Sequence, residues 1–356
     1  MAGIAPSTSK THKAQPGARH RKDSDQRAPQ EDKLRRVVLV LARNPTVIVS
    51  GTRVSEEIGA SRSAVWRIVQ QLRGYGVQIE GHPTTGYLLK QVPDLPLPEI
   101  IDPLIAGTLF HGKIHHSFRT ASTNADAMQA GASGAAEGSV FLAEEQTAGR
   151  GRGGHGWHSE KAAGIYCSVL LRPPIAPTEA LKLSLAAALA TQEAVEQFTG
   201  LRADIRWPND LLLNGKKFCG ILAEMNAEPT RVRHLALGIG INVNHVHFPP
   251  SLREIATSIR LELPATPAAE SEPVARVPLL AALLKSLDCA YRELLAGGDV
   301  RARFSEHSSY ARGKRVHVED QGGFEGTTAG LDDNGFLLVK TAAGVRTVIS
   351  SSVREV

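Results

Sequence analysis

Residues 146–157 read QTAGRGRGGHGW, a glycine- and arginine-rich stretch on which the interpretation of the whole chain depends. Five of the eight residues from Gly149 to Gly156 are glycine, which no hydrophobic core requires. Glycine loses much backbone freedom on ordering, so the pattern is typical of a loop that is mobile when empty. Its N–H groups can approach phosphate oxygens closely, and Arg150 and Arg152 supply planar, permanent charges. Taken alone, however, the stretch fits a solvated turn or an RGG-like RNA-binding segment better.

A second polar segment lies downstream, where residues 206–210 read RWPND and residues 216–222 read KKFCGIL. Between them, residues 214–215 (Asn-Gly) predict a type I′ hairpin, after which Lys217 begins the next strand. An Asn-Asp pair is usually turn chemistry, and a lysine near a hairpin is usually solvated. Two arginines and a lysine converging on one pocket would nevertheless suit a carboxylate held against an α-phosphate.

A third segment, residues 238–244, reads GIGINVN. Glycines that alternate with aliphatic residues leave one face of a strand bare, which allows close approach by a ring or another backbone. Asn242 and Asn244 could then present amides to an adenine edge. Upstream, residues 122–124 (Ser-Thr-Asn) follow a predicted strand at 113–118.

In this order and spacing, these segments resemble the biotin protein ligase family, strongly over residues 113–244. The resemblance implies an α+β (mixed α/β) catalytic domain of the class II synthetase-like biotin ligase type. It extends more loosely to an N-terminal winged helix-turn-helix and a C-terminal SH3-like β barrel. This layout is similar to that of the bifunctional ligases that double as biotin operon repressors.

The resemblance also implies roles for individual residues. The residues implied to bind biotin are Ser122, Thr123, Asn124, Gln146, Arg150, Gly151, Arg152 and Lys217. The residues implied to bind ATP or the adenylate are Arg152, Asn209, Lys217 and Asn242. The catalytic set is Lys217, Arg150, Arg152 and Asp210, where Asp210 would orient or deprotonate a reacting group. No protein ligand to a metal ion is predicted.

The reaction implied by the resemblance uses biotin as substrate together with ATP and Mg²⁺. The biotin carboxylate attacks the α-phosphorus to give biotinyl-5′-AMP and pyrophosphate, and a lysine of a carboxylase carrier domain then takes the biotinyl group. Three positions depart from the family pattern: Gly153 and His155 replace common arginines, and Arg206 replaces a lysine. The loss of two fixed charges predicts slower or weaker ATP use without a change of reaction.

Residues 33–90 predict a winged helix-turn-helix, with three short helices followed by strands at 77–80 and 87–89. The third helix would start after Ser61 and carry a set of residues toward the major groove of operator DNA. That set is Ser61, Arg62, Ser63, Trp66 and Arg67. The wing lacks a basic residue, so a domain that only caps the ligase or contacts protein is an alternative. Repression would further imply a homodimer favoured by biotinyl-AMP.

The remaining chain predicts a disordered basic tail at 1–32, a linker at 91–99, a catalytic domain at 100–308 and a small β domain at 309–356. The net charge of +5 lies entirely within residues 1–36, so the remainder is neutral, which disfavours an RNA-binding protein. Three cysteines without CxxC spacing argue against a disulfide framework or a zinc site and for a reducing compartment. With no bilayer-length apolar run, the predicted location is the cytoplasm, without membrane contact.

Two other functions stay open at this stage. A lipoate-type protein ligase shares the catalytic architecture, although the Arg-Gly loop and the winged helix disfavour it. A biotinyl-adenylate-sensing DNA-binding repressor with little ligase activity would need the catalytic cations to be idle, and Arg150, Arg152 and Lys217 argue against that.

Overall fold

The computed structural model describes residues 17–82, 84–264, 273–319 and 322–356, with side chains from residue 29 onward. The chain divides into two compact units, Met1–Pro93 and Asp94–Val356. The boundary falls inside the predicted linker at 91–99. Leu95 and Leu97 are fully buried, however, so the second half of that segment is packed rather than free.

The first unit contains three helices, α1 (Gly17–Ala42), α2 (Gly51–Ile58) and α3 (Arg62–Arg73), and an antiparallel hairpin of β1 (Ile79–His82) and β2 (Gly86–Leu89). This is the predicted order of a winged helix-turn-helix. Helix α3 starts as expected, because the Ser61 Oγ accepts the Ala64 N–H at 3.3 Å. The turn before it uses Gly59 in the left-handed conformation, and the apolar face of α3 is buried.

One expectation for this unit needs correction. Helix α1 begins at Gly17, so the second half of the predicted disordered tail is helical, whereas residues 1–16 lie outside the described part of the chain. Near the end of that tail, Arg36 and Asp32 form an ion pair at i,i+4 spacing on α1. Helix α3 ends at Arg73, and Gly74 follows it in a right-handed conformation, with its N–H donating to the Gln70 carbonyl.

The second unit is built on a seven-stranded sheet. Its strands are β3 (Ile114–Ser117), β4 (Val140–Ala143), β5 (Gly164–Leu171), β6 (Asp204–Arg206), β7 (Asp210–Leu213), β8 (Lys216–Ala227) and β9 (Val232–Asn242). The order across the sheet is β3-β4-β5-β9-β8-β7-β6, with only the β3–β4 pair parallel among the pairs described. The predicted mixed α/β character of the catalytic domain is therefore confirmed.

Six helices accompany this sheet: α4 (Pro98–Ile101), α5 (Thr123–Ala132), α6 (Leu181–Thr199), α7 (Ile259–Glu262), α8 (Arg276–Leu295) and α9 (Val300–His307). Helices α6 and α8 pack against each other and contribute much of the apolar core. Among the helices of the described residues, none is both long and apolar enough to cross a bilayer.

The hairpin between β7 and β8 fixes the position of Lys217. Asn214 and Gly215 both have positive φ, +48° and +79°, as the predicted type I′ turn requires. The Lys217 N–H then donates to the Ile255 carbonyl, and its own carbonyl accepts the Thr257 N–H, both at 2.9 Å. The backbone at Lys217 is thus held on both sides.

The C-terminal region, for which a small β domain was predicted, forms a five-stranded antiparallel sheet. The strands are β10 (Arg312–Val318), β11 (Phe324–Leu331), β12 (Leu337–Thr341), β13 (Gly344–Val348) and β14 (Val353–Glu355), in the order β13-β12-β11-β10-β14. This small sheet is attached to the catalytic sheet through Trp207, whose fully buried indole donates to the Gly335 carbonyl at 3.0 Å.

Candidate active site

A cavity on strands β5, β8 and β9 brings together segments that lie far apart in the sequence. The empty space between its lining residues is about 450 Å³, which includes the opening to solvent. Nine residues that were expected to bind ligand line it: Ser122, Thr123, Asn124, Gln146, Arg150, Gly151, Arg152, Asn209 and Lys217. The glycine loop, the RWPND segment and the β7–β8 hairpin therefore meet at one place.

Lys217 stands in this cavity between an acid and an aromatic ring. Its Nζ lies 2.6 Å from the Asp210 Oδ1 and 5.4 Å from the centre of the Trp157 ring. The other oxygen of Asp210 pairs with Arg206 at 2.7 Å. Asp210 does not itself line the cavity, so this carboxylate orients the amine from behind. Arg206 thus keeps the basic character of the usual lysine at its position.

The two loop arginines occupy different environments. The Arg152 Nη1 donates to the Asn209 Oδ1 at 3.1 Å and its Nη2 donates to the Ser350 Oγ at 3.0 Å. Burial lowers the pKa of Arg152 from its ordinary value, and the Asp210 charge opposes this shift. Arg150 is more open, with its side chain 57% exposed and its Nη1 3.6 Å from the Glu224 Oε1. Arg152 is thus fixed inside the site, and Arg150 is available at its mouth.

The glycine loop is folded into a compact hairpin. The Trp157 N–H donates to the Gly149 carbonyl at 2.9 Å, and the Gly151 N–H donates to the His155 carbonyl at 2.7 Å. Between them, Gly153 adopts a left-handed conformation with φ of +63°. Neither Gly153 nor His155 lines the cavity, so both departures from the family pattern lie on the outer side of the loop.

A network of hydrogen bonds orders the polar end of the cavity. The Gln146 Oε1 accepts the Thr123 N–H at 2.9 Å and the Thr123 hydroxyl at 3.1 Å. The Gln146 Nε2 donates to the Ser159 Oγ at 2.9 Å, so the amide is oriented. The Thr123 hydroxyl also lies 2.8 Å from the Ser168 Oγ. These contacts fix the Thr123 and Gln146 side chains before any ligand is present.

The glycines of β9 accommodate two side chains at very close range. A Cβ placed on Gly240 would lie 2.6 Å from the Trp157 indole, and one on Gly238 would lie 2.5 Å from the Asn124 Oδ1. The expected close approach of a ring to this bare face is therefore confirmed. Among the described residues, the Asn124 Oδ1 and the Trp157 Nε1 are buried without a hydrogen-bond partner. The cavity thus holds one unsatisfied acceptor and one unsatisfied donor.

Asn242, the last residue of β9, and Asn244 do not line the cavity. The Asn242 amide donates to the Thr257 carbonyl at 3.0 Å, and Asn244 exchanges two hydrogen bonds with the backbone of Val274. Asn242 does retain a buried, unpartnered Oδ1. The predicted placement of these two amides beside the other ligand residues is therefore not observed.

Several residues that line the cavity were not among the predicted ligand residues, including Trp157, Tyr166 and Ser168. Trp157 ends the glycine-rich stretch, and an aromatic residue directly after a flexible loop was a usable signal. Ser168 carried no such signal, because it lies within β5, whose eight residues are all buried.

Comparisons of this chain with known proteins identify a family for each of its three regions. Residues 118–242 match the Biotin/lipoate A/B protein ligase family, residues 312–353 match the Biotin protein ligase C terminal domain, and residues 33–88 match an HTH domain. The chain is 36% identical over 311 residues to the bifunctional ligase/repressor BirA of Bacillus subtilis, covering 86% of this chain and 93% of that protein. It is also 38% identical over 248 residues to a biotin–[acetyl-CoA-carboxylase] ligase of Mycobacterium tuberculosis, covering 66% and 85% of the two chains.

Among solved structures, the biotin protein ligase of Aquifex aeolicus in complex with biotin and ATP is similar to this chain, with a TM-score of 0.58 and 26% identity. The alignment covers 69% of this chain and all of that one. The BirA relative aligns over most of both chains, and residues 33–88 separately match an HTH domain. This chain therefore belongs to the biotin protein ligase family, in the form that carries an N-terminal helix-turn-helix domain.

Proposed function

We propose that this chain is an ATP-dependent biotin protein ligase, which forms biotinyl-5′-AMP and transfers biotin to a lysine of a carboxylase carrier domain. One observation carries the proposal: Arg150, Arg152 and Lys217, from two distant segments, line a single cavity. The relatives named as ligases support it. A cytoplasmic location goes with this activity and stays a prediction.

Biotin fits the polar end of the cavity. Its ureido ring has two N–H donors and one carbonyl acceptor, and the cavity holds an unpartnered acceptor on Asn124 and an unpartnered donor on Trp157. Buried polar groups without partners are costly, so a ligand that satisfies both gains affinity from each. We assign the ureido ring to this end, within reach of the ordered Thr123 and Gln146 side chains and of Ser122.

The cationic end of the cavity suits the first reaction. As the biotin carboxylate attacks the α-phosphorus, negative charge develops on the phosphate oxygens, and fixed cations at that place stabilise it. Lys217 and Arg152 are held in position by Asp210 and Asn209, so little reorganisation is needed. Closure of the glycine loop excludes the water that would hydrolyse the mixed anhydride.

Mg²⁺ is part of this proposal as an ion that accompanies ATP. The two carboxylates near the cavity, Asp210 and Glu224, are each paired with a cation. They fit an ion that is bound mainly by phosphate oxygens and water, as Mg²⁺ usually is, better than a cage of protein ligands. When bound, the ion would neutralise phosphate charge.

The decisive experiment measures biotin-dependent pyrophosphate release by the Lys217→Ala variant. We expect the rate to fall by about 10²-fold or more, as for other enzymes that lose one charge-stabilising donor. Lys216→Ala is the matched control, because it removes the same charge from the neighbouring position, which does not line the cavity. Full activity of Lys217→Ala would contradict the assignment of this residue.

The same assay distinguishes the two alternative functions. The family that matches residues 118–242 includes lipoate ligases, whereas the match at 312–353 is specific to biotin protein ligases, which favours biotin. We expect transfer of biotin, and not of lipoate, to a purified biotin carboxyl carrier domain. A repressor without ligase activity would give no transfer of either.

We further propose that the first unit binds operator DNA and that the chain represses transcription in response to biotin. Helix α3 exposes Ser61, Arg62, Ser63, Trp66 and Arg67 on one side, with Trp66 57% exposed. Exposed arginines near the start of a recognition helix can bind guanine or phosphate in the major groove.

A gel-shift titration tests this second role with a duplex from upstream of the protein's own coding region. We expect Arg62→Ala to weaken binding by about tenfold or more, the effect of losing a base contact. Arg202→Ala removes an equally exposed charge from the second unit and should leave binding unchanged. Sedimentation with biotin and ATP should show a homodimer. Unaltered binding by Arg62→Ala would exclude α3 as the recognition helix.

A further inference from the structure

A cluster of three metal-binding side chains lies just outside the lining of the active-site cavity. It consists of His158, Glu160 and His245, and one ligand atom of each lies within 4.8 Å of the other two. His158 and Glu160 follow the glycine loop, and His245 follows strand β9. Two loops that border the catalytic cavity therefore converge on this cluster.

His245 has an unusual environment for a histidine. Its side chain is fully buried, and its Nδ1 has no hydrogen-bond partner among the residues that the structure describes. The other ring nitrogen lies 3.2 Å from the Tyr166 hydroxyl, which donates to the Glu160 carbonyl at 2.7 Å. The ring also stacks on Phe248, with centroids 5.6 Å apart. These contacts fix the ring while leaving one buried nitrogen unused.

A buried imidazole with one unpartnered nitrogen, a second imidazole and a carboxylate lie together in this cluster. Two histidines and one glutamate are a common three-ligand set for Zn²⁺, with water in the fourth position. The Tyr166 hydroxyl beside the other ring nitrogen of His245 is an outer partner of the kind that supports a metal-bound histidine.

We propose that His158, Glu160 and His245 form a binding site for a divalent transition-metal ion, Zn²⁺ being the best match. Tetrahedral ligands of Zn²⁺ lie roughly 3.3–3.5 Å apart, given bond lengths of about 2.0–2.1 Å. The present separations therefore have to shorten slightly, which the exposed Glu160 side chain allows. The site opens to solvent through Glu160 and the half-buried His158, so the ion has an entry path.

The bound ion would join the segment after the glycine loop to the segment after β9. His158 is adjacent to Trp157, whose indole covers Gly240 in the cavity. Zn²⁺ would thus restrain the anchor of the loop without contacting biotin or ATP. The proposal does not depend on the proposed ligase reaction, because metal binding is measured without either substrate.

Calorimetric titration of the full chain with Zn²⁺, after treatment with a chelator, tests the site. We use a Cys289→Ser background, because Cys289 is the exposed cysteine of the described residues. We expect one tight site, weakened about 100-fold or more in His158→Asn and in Glu160→Gln, since even outer-shell partners can cost 10–100-fold. His247→Asn, two residues from His245 and outside the cluster, is the matched control.

Cobalt substitution supplies a second measurement that does not depend on catalysis. Co²⁺ at this site should show the intense visible absorption of a four-coordinate ion, and His158→Asn should abolish it. His245→Asn is informative only if it folds, so the two more exposed ligands carry the test. Absence of tight Zn²⁺ binding, or binding that is equal in His158→Asn, Glu160→Gln and His247→Asn, would overturn the proposal.

Discussion

Individual glycines in this chain determine which side chains reach the cavity. The spacing of Gly238 and Gly240 predicted a bare strand face, because alternation along a strand follows directly from backbone geometry. The sequence could not predict that Trp157 and Asn124 fill that face, since they come from segments more than eighty residues upstream. For the same reason Ser168 was missed, although its hydroxyl touches the predicted ligand residue Thr123.

Gly240→Ala should damage biotin binding. The new Cβ would stand 2.6 Å from the Trp157 indole, so the ring must move away from its place in the cavity. Overpacking of this kind typically costs about 1–3 kcal/mol, and we expect biotin affinity to fall by about tenfold or more. Calorimetry with biotin measures the change.

Gly156→Ala is the control for this prediction. It adds the same methyl group to the glycine loop, where the nearest heavy atom, apart from its chain neighbours, would be 3.9 Å away. Equal biotin affinities of the two variants would show that the position of the indole does not matter.

At the scale of secondary structure, local elements could be predicted from the sequence, whereas the long-range strand pairings could not. The type I′ turn at Asn214–Gly215 was predictable because two adjacent residues determine it. The sheet order, in which β9 lies between β5 and β8, depends on contacts across the whole unit. The glycine loop is intermediate: its composition predicted a loop, but its left-handed turn at Gly153 required the structure.

Arginine restored at His155 and at Gly153, the two loop positions that depart from the family pattern, should change the KM for ATP differently. His155 is extended, with φ of −66° and ψ of 146°, so His155→Arg fits without strain. The regained charge should lower the KM for ATP by a factor of about 2–5, the modest effect of an exposed charge. Steady-state pyrophosphate release at low ionic strength measures it.

Gly153→Arg is the matched comparison. Its left-handed backbone costs a non-glycine residue about 1–2 kcal/mol, which offsets the electrostatic gain. We expect no decrease in the KM for ATP. An equal decrease in both variants would mean that the loop abandons this conformation when ATP binds.

At the scale of the whole molecule, a buried ionic network ties the beginning of the second unit to the catalytic sheet. Arg276 pairs with Glu144 at 2.8 Å and with Asp94 at 3.3 Å, and His116 lies 3.4 Å from the other Glu144 oxygen. Asp94 is the first residue of its unit and fell within the predicted linker. Composition alone predicted a linker there, because a single acid that binds a distant arginine leaves no local pattern.

This network should make folding stability depend on acid pH. Burial by itself would raise the pKa of Glu144, but Arg276 and His116 outweigh it and the pKa is lowered from 4.5. The stabilisation is therefore present above pH 4.5 and is lost as the pH falls through the lowered pKa. Urea unfolding across the acid range should show this decline in the wild-type chain.

Glu144→Gln should remove that part of the pH dependence. It should also lower the free energy of unfolding at neutral pH by up to about 3–5 kcal/mol, because the buried Arg276 loses its closest charge partner and keeps only Asp94. The exposed Glu306→Gln variant is the control and should behave like the wild type. A pH profile unchanged in Glu144→Gln would exclude the network as its origin.

The chain contains three tryptophans, and they stand in three different surroundings. Trp66 is open to solvent on α3, Trp157 lies against the glycines of the cavity, and Trp207 is sealed beneath the C-terminal sheet. The fluorescence emission of an indole depends on the polarity around it, so each of these tryptophans reports on the region in which it lies. Single Trp→Phe replacements would separate operator contact, vitamin uptake and docking of the small sheet without any external label.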